Sequence, residues 1–239
     1  MTCVVLQPSY IPWRGFFHQV FKADVFIHYD DVQFDKHGWR NRNLVKGPAG
    51  PQWLTIPIHA KGNVTQGLPI DRVAINHASD WPRKHWETIR QLYGKTPYFA
   101  HYAPRLREFF AAPPELLADF VIPLTEYLAG ELGIRHTRFV RSSQIGGEGK
   151  KTDRLVALLK AVGATHYVSG PAAKEYMEVD KLTAAGISLE YMTYDYPEYP
   201  QKHPPFASNV SVLDLLFATG PEAARYIWGD AAEPKREAS

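Results

Sequence analysis

By residue 29 the chain has already spelled out a strand, a proline-rich turn, a helix and a second strand. Cys3 to Leu6 is a continuous apolar run that stops at Gln7-Pro8, the pattern of a strand buried on both faces. Gly15 to Lys22 follows as a helix with Phe16, Phe17, Val20 and Phe21 on one stripe. Val25 to Tyr29 is the next strand. A strand–helix–strand unit this compact demands a right-handed crossover and a parallel sheet.

Residues 30–50 read as polar and irregular, ending in Gly47-Pro48-Ala49-Gly50-Pro51. Gln52 to Ile58 reads as a strand, placed at an edge by Pro57. Residues 59–70 read as a mobile loop, and Val73 to Ile75 as a short strand. Ser79-Asp80-Trp81-Pro82 signals a capped helix start, with that helix running to Tyr93. A second helix is expected after Pro104 and a third over Pro114 to Leu132. The stretch 79–133 is therefore a helical insertion or a separate lobe.

Sheet patterning returns with strands at Thr137 to Val140, Thr165 to Val168 and Ile187 to Met192. Helices are expected over Lys151 to Val162, with Thr152 available as a cap, and over Lys174 to Ala184. Residues 194–210 form an aromatic, proline-rich loop. Ser211 caps a helix to Ala218, and Pro221 starts a last one to Trp228. The expected fold class is α/β, an open and mostly parallel sheet of Rossmann-like or HUP-like type with a helical middle segment. The expectation is a single domain over 1–229 with a disordered tail over 230–239.

Ligands of open α/β sheets sit outside the carboxyl ends of the strands. Two segments fall there. The turn Gln7 to Gly15 precedes a helix whose free N–H groups suit anions, with Gln7, Tyr10 and Trp13 shaping a pocket. It contains no G-x-G-x-x-G and no P-loop. The second segment follows Tyr29: Asp30, Asp31, Gln33, Lys36, Arg40, Asn41, Arg42 and Asn43. Its arginines and Lys36 match phosphate or carboxylate, and Asp30 or Asp31 offers a base or a Mg²⁺ ligand. A solvated loop with internal ion pairs is the plain alternative.

Further candidates are Lys84, Lys151-Thr152-Asp153-Arg154 with Tyr176, and Ser169-Gly170 at a strand end. In the aromatic loop, Tyr199 and Gln201 are candidates for closing over a site. Asp214 favours its helix dipole. Ser169 lacks a G-x-S-x-G context and is not read as a nucleophile. The histidines show no H-x-x-x-H spacing, so no metal site is expected. Cys3, the single cysteine, lies within a strand and reads as core.

Twenty-seven Lys and Arg against 25 Asp and Glu leave a formal charge of +2, too little for a nucleic-acid or membrane field. One cysteine allows no intramolecular disulfide. The start lacks a secretory pattern, and no apolar run reaches the roughly 18 residues of a spanning helix. A cytoplasmic protein acting on a small molecule is expected, with its oligomeric state open.

Several of these strings together resemble the WbqC-like protein family. They are Gln7-Pro8-x-Tyr10-x-Pro12-Trp13-x-Gly15-Phe16-Phe17, Ala23-Asp24, Asp30-Asp31-Val32-Gln33-Phe34-x-Lys36 and Trp39-Arg40-Asn41-Arg42-Asn43. Gly163-Ala164-Thr165-x-Tyr167-x-Ser169-Gly170, Tyr199-x-Gln201 and Ser211-Val212-Leu213-Asp214-Leu215-Leu216 continue the likeness. The resemblance implies a bacterial surface-polysaccharide setting such as O-antigen synthesis. Some of those polysaccharides carry amino sugars acylated by glycine or another amino acid. The expectation is an acyl or aminoacyl transferase, or an ATP-dependent amide ligase, on an amino sugar or similar amine. The alternative is a non-catalytic binder of a nucleotide sugar or small metabolite. The opening is also similar to HUP-type nucleotidyltransferases and pantothenate-synthetase-like ligases, which bind ATP after the first strand. Their His-x-Gly-His is replaced here by Tyr10-Ile11-Pro12-Trp13, so the cofactor stays open, with ATP and Mg²⁺ as the pair such chemistry would use.

Overall fold

The computed structural model describes residues 1–59 and 67–230. Most of the loop expected over 59–70 and the tail expected over 230–239 lie outside the described residues.

Five parallel strands form the main sheet: β1 (Thr2–Leu6), β2 (Val25–His28), β5 (Arg138–Arg141), β6 (His166–Ser169) and β7 (Ser188–Tyr191). Their spatial order is β5-β2-β1-β6-β7. The chain moves outward from β1 in one direction, then returns to β1's other side with β6. The point where it reverses lies between β1 and β6, where open α/β sheets leave a crevice.

β1 pairs on both sides, Cys3 and Val4 facing Val25 and Phe26 on one flank and Tyr167 and Val168 on the other. Successive side chains alternate between faces. Val4, Phe26 and Val168 enter one apolar cluster, while Cys3, Val5, Val25 and Ile27 enter a second. Helix α1 (Arg14–Lys22) covers the first face through Phe16, Phe17 and Val20. The second face is covered by α6 (Lys151–Ala161) and α7 (Val179–Ala184) through Leu155, Leu158, Leu159 and Leu182. Burying apolar area at roughly 25 cal/mol per Å² is what holds these layers together.

The helical middle segment consists of α2 (Trp81–Tyr93), α3 (Phe99–Ala111) and α4 (Leu117–Glu131). Its residues Trp81, Ile89, Phe120, Val121 and Leu124 lie in the same apolar cluster as Val4 and Phe26. α3 begins before Pro104 rather than after it and carries that proline inside. The expected cap of α2 is absent: Asp80 makes no side-chain cap and instead pairs with Arg83.

The stretch read as irregular contains a strand. β3 (Arg42–Gly47) and β4 (Gly50–Thr55) form an antiparallel hairpin, its turn closed by Gly50 at φ 108°. Pro57 lies beyond that strand. β3 escapes recognition because polar Asn43 and Lys46 are buried there. Val73 to Ile75 is not a strand but contributes single bridges at Ala74 and Ile75. The helix expected over 174–184 divides into a 3₁₀ turn at Pro171–Glu175 and α7. A short helix, α5 (Ser142–Ile145), stands where none was expected. Helix α8 (Val212–Thr219) starts as expected, with Ser211 accepting from the Leu213 N–H. The residues to Trp228 form a 3₁₀ turn and α9 (Arg225–Trp228). Among the described residues no helix is long and apolar enough to cross a membrane.

Candidate functional site

A cavity of about 770 Å³ opens at the carboxyl edge of β1 and β6, in the crevice set by the strand order. That volume lies within the ordinary range for small-molecule sites. One wall is the turn after β1, through Gln7, Ser9, Pro12 and Trp13. The facing material is the first turn of α6, with Lys151, Thr152 and Leu155. Tyr29 follows the end of β2, Tyr167 rises from within β6, and Trp39, Arg40 and Asn43 close another side.

The turn after β1 keeps its shape because the 39–43 segment grips it. Tyr10 donates its N–H to the Trp39 carbonyl at 3.0 Å. Asn43 Nδ2 donates to the carbonyls of Tyr10 and Ile11 at 2.9 and 3.0 Å, and Asn43 Oδ1 accepts from Leu44 N–H at 2.7 Å. Arg40 Nη1 donates to the carbonyls of Gln7 and Pro8 and to Ser9 Oγ, at 3.1, 3.2 and 3.2 Å. These contacts hold Ile11 at φ 37°, a left-handed conformation that branched side chains resist. Gly15 has its own requirement: a Cβ there would meet the Trp13 indole at 2.3 Å. Without it, Trp13 can lie over the start of α1 and face the cavity.

Two cations, Arg40 and Lys151, line the cavity, and no carboxylate does among the described residues. Burial pushes the Arg40 guanidinium down from its ordinary value, with the Asp35 carboxylate opposing. Arg40 Nε lies 3.4 Å from Asp35 Oδ2, within ion-pair range. Buried Gln19 donates one Nε2 hydrogen to Tyr194 Oη at 2.9 Å and keeps Oε1 unpartnered. Burial also pushes the Tyr29 hydroxyl up, with Arg154 opposing.

Gln7, Trp13, Arg40 and Asn43 are thus brought together at the cavity. The other sequence candidates lie elsewhere. Asp30 is buried, its Oδ1 accepting from Ser142 Oγ at 3.1 Å and Ser143 N at 3.0 Å, its Oδ2 from Ser143 Oγ at 2.9 Å. Asp31 accepts from Ser142 Oγ at 2.5 Å and pairs with Arg154. Among the described residues no set of three or more His, Cys, Asp or Glu is placed to hold a metal ion. Gln33, Lys36 and Lys84 are exposed and off the cavity wall. Asn41 donates to the Ile56 carbonyl at 2.8 Å. Arg42 turns toward the His37 carbonyl and stacks 4.5 Å over Trp53. Ser169 ends β6, and a Cβ on Gly170 would lie 3.5 Å from Tyr194 Oη. Tyr199 donates to Asp214 at 2.8 Å, and Gln201 donates to Tyr199 Oη and Ala207 O at 3.1 and 2.9 Å. Thr152 does not cap its helix but accepts from Glu178 N–H at 3.3 Å.

Tyr10 is fully buried, away from the cavity, with its hydroxyl 2.9 Å from His85 Nδ1. Burial pushes the His85 imidazole down to about 4. A histidine depressed in the folded state contributes stability above its unfolded value near 6.5 and loses it as the pH falls toward 4. Denaturant unfolding from pH 7 to 4 should therefore show a steeper acid loss for the natural chain than for His85→Phe. Parallel acid limbs would contradict the assignment.

Sequence reasoning passed over Gln19 and Tyr29. Gln19 is a buried polar residue beside the apolar stripe of α1, and Tyr29 stands at a strand's carboxyl end; neither points to a cavity until the sheet order is known.

The family description for WbqC-like proteins matches residues 7–226. The chain belongs to the WbqC-like protein family. A protein of Mycobacterium tuberculosis (strain ATCC 25618 / H37Rv), named Uncharacterized protein Rv1507c, is 36% identical over 225 residues, covering 93% of this chain and 96% of that protein. No solved structure matches. The WbqC-like stretch begins at Gln7 and takes in the whole cavity wall apart from Val5 and Leu6.

Proposed function

We propose that this WbqC-like chain binds an anionic small molecule in the crevice and is a group-transfer enzyme. In this reading it forms an amide on an amino sugar or similar small amine, in surface-polysaccharide synthesis. The acyl or aminoacyl group comes from an activated donor or from ATP-dependent ligation. One observation carries it: among the described residues, the wall at the sheet's switch point presents Arg40 and Lys151 and no carboxylate. Cations fixed in a partly dry site stabilise the negative charge of a donor and of its leaving group. Gln7, Trp13 and Asn43 shape the pocket. Asp31 reaches the cavity through Arg154, whose charge acts on the Tyr29 hydroxyl on the wall, and so serves as a positioning residue. Asp30 holds α5 in place, and Lys36 remains outside.

The engagement of both carboxylates by Ser142, Ser143 and Arg154 favours a second reading, a non-catalytic binder of a nucleotide sugar or metabolite. Mass detection of an amide product separates the two. The enzyme reading expects product from the natural chain with an acyl or aminoacyl donor, or with an amino acid and ATP. It expects Tyr29→Phe and Asp31→Asn each to slow turnover at least about tenfold while ligand affinity changes less than about threefold. Tight ligand binding with no amide from any donor class would leave the binder.

A further inference from the structure

We infer that the crevice takes a nucleoside phosphate, its base stacked at the mouth on Trp39 and Tyr176 and its phosphate against Lys151 and the first turn of α6. The inference rests on the crevice being the ligand site, and not on the amide chemistry.

The aromatic end is marked by exposure. Trp39 and Tyr176 are 42% and 69% exposed, yet both border the cavity and come from different walls. Large rings left in water beside a cavity suit a flat partner, and stacking of a base on such a ring contributes about 1–3 kcal/mol. Trp39 is further held by Trp53, with ring centroids 5.2 Å apart.

The phosphate end is marked by backbone and charge. Gly146, Gly147 and Gly149 all have positive φ, and the chain then enters α6 through Lys151 at φ 51°. Only glycine follows such a path freely, and a lysine held there is strained. Helix-start N–H groups lack an i−4 carbonyl and favour an anion. Thr152 Oγ already accepts from Glu178 N–H, which leaves its own hydrogen to donate.

A helix start alone would not carry this. The independent observation is an unpartnered buried atom on a residue lining the same cavity, Gln19 Oε1. Gln19 is 4% exposed, and a buried polar atom without a partner is costly. It asks for a donor such as a sugar hydroxyl or base amine. A ligand with a flat base, hydroxyls and phosphate answers all of these groups.

Titration calorimetry on the full chain tests it, using mono-, di- and triphosphates of the four ribonucleosides, the free nucleosides, and ribose 5-phosphate. At least one nucleotide should bind ten or more times tighter than its nucleoside and than ribose 5-phosphate. Trp39→Ala should weaken it at least tenfold and Trp39→Phe less than threefold. Lys151→Ala should weaken it at least fivefold and flatten the salt dependence. Equal binding of ribose 5-phosphate, with Trp39→Ala silent, would overturn the base subsite. No binding by any nucleotide at millimolar concentration would overturn the whole inference. The amide assay with non-nucleotide donors would then still decide the enzyme reading, and nucleotide binding without amide product would sink only that reading.

Discussion

Asp214→Ala is expected to destabilise the fold by about 2–4 kcal/mol, since buried polar groups left without a partner cost about 1–3 kcal/mol each. Asp214 is buried in the first turn of α8 and accepts from Tyr199 Oη at 2.8 Å, with Tyr93 and Gln201 beside it. Lys46, 1% exposed, donates its Nζ to the Pro205 carbonyl at 2.6 Å and its N–H to Tyr93 Oη at 2.7 Å. Burial pushes the Asp214 carboxyl up, while Tyr199, Tyr93, Gln201 and Lys46 pull it down. Alanine would leave the buried Tyr199 hydroxyl without its acceptor and take the carboxylate away from Tyr93 and Lys46. Asn keeps the shape and one acceptor, so Asp214→Asn should cost clearly less. Urea melts of both variants provide the check; a midpoint for Asp214→Ala within error of the natural chain would refute this account.

Asn43→Ala should cost about 2–4 kcal/mol, since each buried group left without a partner costs about 1–3 kcal/mol. It would free the carbonyls of Tyr10 and Ile11 and the Leu44 N–H in one step. The effect should reach beyond stability. Ile11 is held at φ 37° by these bonds, and Pro12 and Trp13 beside it line the cavity. The variant should therefore lose ligand affinity even at temperatures where it remains folded. Melting curves with and without ligand separate the two losses. An unchanged ligand-induced shift would show that the turn does not depend on Asn43.

Much of the frame was readable because the strands around β1 are short apolar runs, and glycines or prolines punctuate them. The hairpin was not, since Asn43 and Lys46 look like loop residues until their partners are known. The same blindness affected the charges of residues 36–46. They read as one set facing a ligand, but their donors end in four different places. Arg40 grips the turn, Arg42 caps its own segment over Trp53, Lys46 enters the core, and Lys36 stays in water. Residue type reports that a donor exists, and only the fold decides which acceptor it meets. The turn after β1 was legible as a cavity wall because strand ends in a parallel sheet have few alternatives. Asp30 and Asp31 looked catalytic by adjacency, but Ser142 and Ser143 arrive from over a hundred residues away to occupy them. Gln19 and Tyr29 carried signals that needed the sheet order before they meant anything.

The turn after β1 also leans on the far end of the chain. Val212 N–H reaches the Pro12 carbonyl at 2.8 Å, Ser211 N–H reaches Leu44 O at 2.8 Å, and Arg14 donates to the carbonyls of Pro197 and Tyr226. During synthesis, the turn after β1 must therefore wait for partners made about two hundred residues later. A nascent chain halted near residue 200 would lack the N–H group that holds the Pro12 carbonyl, so the crevice takes its final shape only once the segment around Val212 has been made.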